Sequence, residues 1–164
     1  MTTAAFDPLE ILKALDLHGV RFVVIGGIAG RIRGSTTVTN DLDICYGRDA
    51  DNLKALAAVL AGLKAKLRGA DRDLPFLADA RTLKMGDQFT FTTSAGNFDI
   101  LGTPAGSHGY ESLARTATRM DVGGVTVLVA AIEDLILMKR AAGRPKDLIE
   151  VEILTAVREE IERQ

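Results

Sequence analysis

Residues 23–44 read VVIGGIAGRIRGSTTVTNDLDI, and this stretch decides the fold. It begins inside an apolar run, Val20-Arg21-Phe22-Val23-Val24-Ile25. Near-continuous apolar character predicts a strand buried on both faces. Gly26-Gly27 ends that strand sharply, and a short helix is expected over about residues 28–33, stopped by Gly34. Asp41-Leu42-Asp43-Ile44-Cys45-Tyr46 alternates and predicts a second strand. In a strand, residues i and i+2 share a face, about 6.6–6.8 Å apart. Asp41 and Asp43 therefore present neighbouring carboxylates, with Leu42 and Ile44 facing the core. Each carboxylate disfavours ionisation of the other, and a divalent cation reverses that penalty. Alone, an Asp-x-Asp pair also fits a solvated strand end, and Gly-Gly also fits a tight turn. Their order adds weight. Thirteen residues separate Gly27 from Asp41. The glycines let backbone approach a ligand, and the amides that follow open a helix, which suits phosphate. No Lys-Ser/Thr follows as in a P-loop, and no third glycine completes a dinucleotide fingerprint.

Upstream, Asp7, Pro8 and Glu10 start a first helix with a capping box, striped by Ile11, Leu12 and Leu15 and stopped at His18-Gly19. Downstream, Leu53, Leu56, Leu60, Leu63 and Leu67 recur at spacings of 3 and 4, predicting an amphipathic helix over 51–68. Residues 69–86 read as irregular. Residues 89–93 and 98–101 read as a β-hairpin around Ser94-Ala95-Gly96-Asn97. A short helix is expected over 110–116, a strand over 125–129, and helices over 131–142 and 145–162. Alternating helices and strands with a central hairpin predict an α/β (α+β) domain around a mixed sheet. Asp99 lies between apolar neighbours in the hairpin. If its strand lies beside that of Asp41, three carboxylates converge, the acid set of two-metal phosphoryl transfer. On the 131–142 helix, Lys139 falls among Ile132, Leu135, Ile136 and Ala142. Its amine either snorkels to an edge or emerges at the acids.

The chain has 164 residues, 20 Lys+Arg against 22 Asp+Glu for a net charge of −2, and 47% hydrophobic residues. That balance fits one globular domain over residues 1–164 and argues against a dominantly basic nucleic-acid binder. One cysteine excludes an intramolecular disulfide and a cysteine zinc cluster. The start MTTAAFDPLE lacks a signal-peptide plan, and no apolar run reaches 18 residues. A cytoplasmic protein with no membrane partner is expected.

The segment 23–44 resembles the signature of the polymerase-β-like nucleotidyltransferases: strand, Gly-Gly or Gly-Ser, a spacer, then Asp-x-Asp. FTFTTSAGNFDIL (89–101) and VLVAAIEDLILMKRAAGRPKDLIEVEIL (127–154) resemble the small AbiEii-type branch, which includes toxin nucleotidyltransferases. The resemblance covers about residues 20–155. It implies a mixed sheet flanked by helices and Mg2+-dependent transfer of a nucleoside monophosphate from a nucleoside triphosphate to an acceptor hydroxyl. It implies metal-binding and catalytic roles for Asp41, Asp43 and Asp99, and nucleotide contacts for Gly26, Gly27, Lys139 and Arg144, followed by Lys146-Asp147. RNA, protein and small molecules all offer acceptor hydroxyls, and the toxin branch implies an antitoxin partner. One departure is visible: Thr37 stands where this branch often carries Arg. That departure motivates an alternative, a weak or inactive module of the same fold that binds a nucleotide or a partner.

The other candidates have plainer readings. His18 suits a helix C-terminus, His108 a loop, and Cys45 a packed thiol whose pKa nearby acids would raise. Ser35 and Ser107 have no His–acid pair in the sequence around them. Arg31 and Arg33 read as solvated, with a triphosphate or an RNA acceptor as the other reading.

Overall fold

The computed structural model describes residues 4–69 and 77–164. Helix α1 (Pro8–Leu17) starts as its sequence dictates, with Asp7 accepting from the Glu10 N–H at 3.1 Å. It buries Ile11, Leu12 and Leu15 and ends at His18, whose Nδ1 lies 2.9 Å from the Ala14 carbonyl. Strand β1 (Phe22–Ile25) is buried throughout. It is shorter than the expected 20–25, because the Val20 N–H turns back to the Leu15 carbonyl. Helix α2 (Gly26–Arg33) follows without a spacer, so both glycines form its first turn rather than precede it.

Strand β2 (Asp41–Tyr46) buries Leu42 and Ile44 completely. Helix α3 (Ala50–Gly62) is capped by Asp49 and stops well before residue 68. Leu63 and Leu67 keep helical spacing, but Lys64 takes a left-handed φ of 55° and the chain turns into strand β3 (Lys66–Leu67). A short helix α4 (Ala80–Met85), capped by Asp79, lies in the stretch expected to be irregular. Residues 70–76 of that stretch lie outside the described residues.

The hairpin is tighter than expected. Strands β4 (Gln88–Thr93) and β5 (Gly96–Leu101) leave only Ser94 and Ala95 between them. Gly96 supports the turn at φ +99°, and the Thr93 hydroxyl donates to its carbonyl at 2.7 Å. Helix α5 (Tyr110–Thr116) sits where expected. Strand β6 (Thr118–Val122), unforeseen in the sequence, pairs with β7 (Val125–Val129) across Gly123-Gly124. Helices α6 (Ile132–Ala142) and α7 (Pro145–Glu162) close the chain.

The strands form one seven-stranded mixed sheet, β3-β4-β5-β2-β1-β7-β6. β1 runs antiparallel to β2 and parallel to β7, while β2 runs parallel to β5. Fully buried Leu42, Ile44, Tyr46, Phe91 and Phe98 pack in the centre. Each such side chain stabilises by about 1.5–3 kcal/mol, which fixes β2 against β5 where the acids lie. Among the described residues no helix is long and apolar enough to cross a membrane.

Candidate active site

The parallel pairing of β2 with β5 sets Asp41 opposite Asn97 and Asp43 opposite Asp99. The register continues through Thr90 of β4, opposite Asp99, to Arg68, whose N–H donates to the Thr90 carbonyl at 2.9 Å. A row of residues thus crosses three strands, with Asp43 at one end and Arg68, just past β3, at the other. Asp41, Asp43 and Asp99 all line one cleft of about 630 Å³, together with Gly26, Gly27, Lys139 and Arg144. All seven residues singled out in the sequence therefore share one cavity.

The glycine pair is demanded by its neighbours. A Cβ on Gly26 would stand 2.1 Å from Asp43 Oδ2, and one on Gly27 would stand 2.8 Å from the Thr39 Cβ. Gly26 also sits at φ +69°, a left-handed conformation costly to side-chain-bearing residues. The absent side chains bring the start of α2 against the acids, and no side chain caps this helix. Its first-turn amides retain the capacity to meet an anion.

Burial dominates the electrostatics. It pushes the Asp43 carboxyl up to about 7, aided by the charge of Asp99, a hydrogen bond to it and the charge of Asp41. Lys139 opposes the shift. Burial also raises Asp99, against the hydrogen bond and charge of Arg68. Both carboxyls are thus pushed toward their neutral forms and linked by a hydrogen bond. Asp41 Oδ1 accepts from Asn97 Nδ2 at 3.1 Å. Among the described residues no three acid, His or Cys side chains form a ready metal cluster. The acids are near neighbours but turned to protein partners: Asp41 to Asn97, Asp99 to Arg68 and Asp43 to Asp99. As a donor set, three hard carboxylates at one cleft, one held toward its neutral form chiefly by burial, fit a divalent cation.

Elsewhere in the cleft lining, Lys139 Nζ lies 3.4 Å from Asp147 Oδ1. The lysine does reach the cleft, although Ala142, placed on the same apolar face in the sequence, is exposed. Arg144 is committed more closely, its Nε 2.6 Å from Asp147 Oδ2 in the cap of α7. Burial raises Asp147, but the Arg144 hydrogen bond and the charge of Lys139 outweigh it and hold the carboxyl below its ordinary value.

Arg33 is a structural residue, donating to the carbonyls of Val129 and Ala130 at 3.0 Å each. Arg31 is exposed and reaches the Thr37 carbonyl at 3.2 Å. Cys45 is a packed thiol. Burial first, and then Asp87 rather than the cleft acids, pushes it up to about 12. His108 is an exposed loop residue.

Sequence reading missed two parts of the cleft. Arg68 falls inside an expected helix, and only the change from helix to β3 brings it beside Asp99. Glu150 reads as one more acid on a long helix. It is buried, accepting from the hydroxyls of Ser35 at 2.7 Å and Thr37 at 2.6 Å. The Thr37 hydroxyl, at the position where Arg was expected, is therefore committed to α7.

The seven-stranded mixed sheet and its flanking helices match the fold of solved nucleotidyltransferases. The lincosamide antibiotic adenylyltransferase LnuA, solved with lincomycin bound, superposes with a TM-score of 0.61 at 13% identity, over 92% of this chain and 95% of that one. ANT(2")-Ia in complex with adenylyl-2"-tobramycin superposes with a TM-score of 0.58 at 17% identity, over 94% of this chain and 90% of that one. At these identities the likeness establishes the fold. No protein-family model matches the sequence. No curated protein matches it either.

Proposed function

We propose that the chain, as one nucleotidyltransferase unit over residues 1–164, transfers a nucleoside monophosphate from a nucleoside triphosphate to an acceptor hydroxyl, with release of pyrophosphate. The observation that carries this reading is the Asp43–Asp99 register pair, with Asp41 two residues away and Gly26 packed on Asp43. Half-buried acids in one cleft are costly unless a cation joins them. Asp41, Asp43 and Asp99 would hold Mg2+, which when bound neutralises the triphosphate and makes the acceptor hydroxyl easier to deprotonate. The start of α2 offers N–H groups to the phosphates. Lys139 adds a positive charge from elsewhere in the cleft lining, and Arg144 stiffens that part of it through Asp147. Asp99, on the side away from the glycines, is placed to take the acceptor proton. In-line displacement puts attacking and leaving oxygens on opposite sides of the phosphorus, which matches glycines on one side of Asp43 and Asp99 on the other.

The AbiEii-type assignment, and with it an antitoxin partner, rests on the motifs at 89–101 and 127–154. The antibiotic adenylyltransferases with this fold support a small-molecule hydroxyl as a further acceptor class. A weak or inactive module is the second reading, favoured by the turning of Asp99 to Arg68 and by Thr37. Incubation with each labelled triphosphate, Mg2+ and cell extract separates the two readings. Transfer of label with pyrophosphate release, lost in Asp41→Asn and Asp99→Asn, is the expected result. Nucleotide binding without pyrophosphate release would leave the second reading.

A further inference from the structure

Arg68 Nη2 donates to Asp99 Oδ1 at 2.5 Å and to the Phe91 carbonyl at 2.8 Å. Both members of this pair are largely shielded from solvent, with 31% and 15% of their side chains exposed. The guanidinium lines the same cleft as the three acids. Asp99 is thus held from two sides, by Arg68 beyond β4 and by Asp43 on the neighbouring β2. A cation is what three adjacent carboxylates need, and Arg68 is the cation this chain supplies at Asp99.

The contact is not a fully satisfied structural lock. Among the described residues, Arg68 Nε is buried with no hydrogen-bond partner. A buried donor left unpaired costs about 1–3 kcal/mol, so this pose of the guanidinium is held against a penalty. Arg33, by contrast, has its Nε bonded and uses Nε and Nη2 on three separate acceptors. Arg68 also follows directly on β3, a two-residue edge strand, rather than lying in the sheet interior. It has little backbone pairing to hold it there.

We propose that Arg68 is a built-in counterion that stands in for the metal at Asp99 and yields Asp99 when a divalent cation binds, so that it sets the metal affinity of the site. The proposal rests on the metal-binding reading of Asp41, Asp43 and Asp99 given above. Arg68 is a positioning residue: it touches Asp99, not the reacting atoms. Removing its charge takes a competitor from the site and leaves the carboxylates facing one another. The metal-free protein then becomes less stable while the affinity for a cation rises. The same substitution thus moves two quantities in opposite directions, which loss of an ordinary structural arginine does not.

The test is titration of the full chain with Mn2+ in the absence of nucleotide, by calorimetry or by the electron paramagnetic resonance of free Mn2+, alongside thermal unfolding. Arg68→Gln is expected to bind Mn2+ roughly ten-fold more tightly or better, on the scale of one charge removed beside the site. Its Tm should lie below that of the parent without metal, and the gap should close at saturating Mn2+. Arg68→Lys, which keeps the charge, should bind Mn2+ within about three-fold of the parent, a difference below one factor of ten. If Arg68→Gln is unfolded without metal, Mn2+ should restore its folding, and failure to do so overturns the proposal. Equal or weaker Mn2+ binding by folded Arg68→Gln also overturns it. If Asp43→Asn weakens Mn2+ binding in that case, the metal site itself still stands. Mn2+ binding unaffected by Asp43→Asn removes the metal site and the role of Arg68 together.

Discussion

Asp43 and Asp99 face each other across two parallel strands in matched register, and the Asp43 carboxyl keeps its proton up to about pH 7. Burial is the main cause, with the facing carboxylate second. A side chain that prefers to be neutral in the folded protein, and charged in the unfolded chain, ties stability to pH.

The sign is fixed by which state holds more protons. Between the ordinary value of 3.8 and about 7, the folded protein carries a proton on Asp43 that the unfolded chain has shed. The metal-free protein is therefore most stable below pH 4 with respect to this group, and that contribution is lost as pH rises through 7. Asp43→Asn should flatten this dependence and raise metal-free stability at pH 8 by about 2–4 kcal/mol, since each tenfold change in proton affinity is worth about 1.4 kcal/mol. Urea unfolding of both proteins at pH 5 and pH 8 measures it. The same variant should have no triphosphate-dependent transfer. An identical pH slope in parent and Asp43→Asn would show that the proton lies elsewhere.

Gly26→Ala should be severe, for two separable reasons. The φ of +69° costs an alanine about 1–2 kcal/mol, and the new methyl would strike Asp43 Oδ2. We expect a loss of about 2–4 kcal/mol in the parent. In an Asp43→Ala background the clash with the carboxylate is gone, and the backbone cost and a tight 3.0 Å approach to the residue-43 Cβ should remain. A double-mutant cycle by urea unfolding isolates the contact. An equal cost in both backgrounds would mean that Asp43 does not rest on Gly26.

Much of this site was legible because its signals are local. Period-two alternation put Asp41 and Asp43 on one face, and Gly26-Gly27 marked where β1 turns into α2. The stripe of Ile132, Leu135 and Ile136 brought Lys139 to the cleft. What was hidden depends on contacts distant in sequence. Leu63 and Leu67 continue the leucine spacing of α3, so nothing local showed that the chain leaves the helix at Gly62. With that exit went the position of Arg68. Strand β6 is an exposed edge, Thr-Arg-Met-Asp-Val, with too little buried surface to impose an apolar alternation. Glu150 is buried only because the loop after α2 brings Ser35 and Thr37 to it from more than a hundred residues away.

Lys139→Met keeps the length of the side chain and removes the charge. Asp147 retains Arg144 Nε at 2.6 Å, so the buried carboxylate is not left unpaired and stability should change little. Binding of a nucleoside triphosphate should weaken ten-fold or more, about 1.4 kcal/mol. Equilibrium binding and thermal unfolding, run on the same samples, check both halves. Unchanged binding with a lowered Tm would make Lys139 a structural partner of Asp147 and nothing more.

Glu150 offers the sharpest test of how the loop carrying Thr37 is held. Its two oxygens take one hydroxyl each, and Ser35 Oγ accepts in turn from the Thr37 N–H at 3.2 Å. A single buried carboxylate thus fixes the first part of the loop between α2 and β2, at Ser35 and Thr37, upstream of Asp41. Glu150→Gln preserves the shape and one acceptor oxygen. The second hydroxyl then meets an amide NH2 and must rotate to accept, so the expected cost is about 1 kcal/mol. Glu150→Ala strands the Ser35 hydroxyl and opens a void against Gly30 and Leu154, for an expected cost of about 2–4 kcal/mol. The loop position should follow the same order. Backbone hydrogen exchange at residues 35–40 should rise slightly in Glu150→Gln and strongly in Glu150→Ala, while the amides of β5 remain protected. Because Glu150→Ala releases Ser35 and Thr37 together, Thr37→Val separates the contributions. If Thr37→Val alone reproduces the loosening seen in Glu150→Ala, the hydroxyl of Thr37 holds the loop. If it does not, Ser35 is the anchor, and Thr37 is the position at which an arginine could be introduced without loss of the fold.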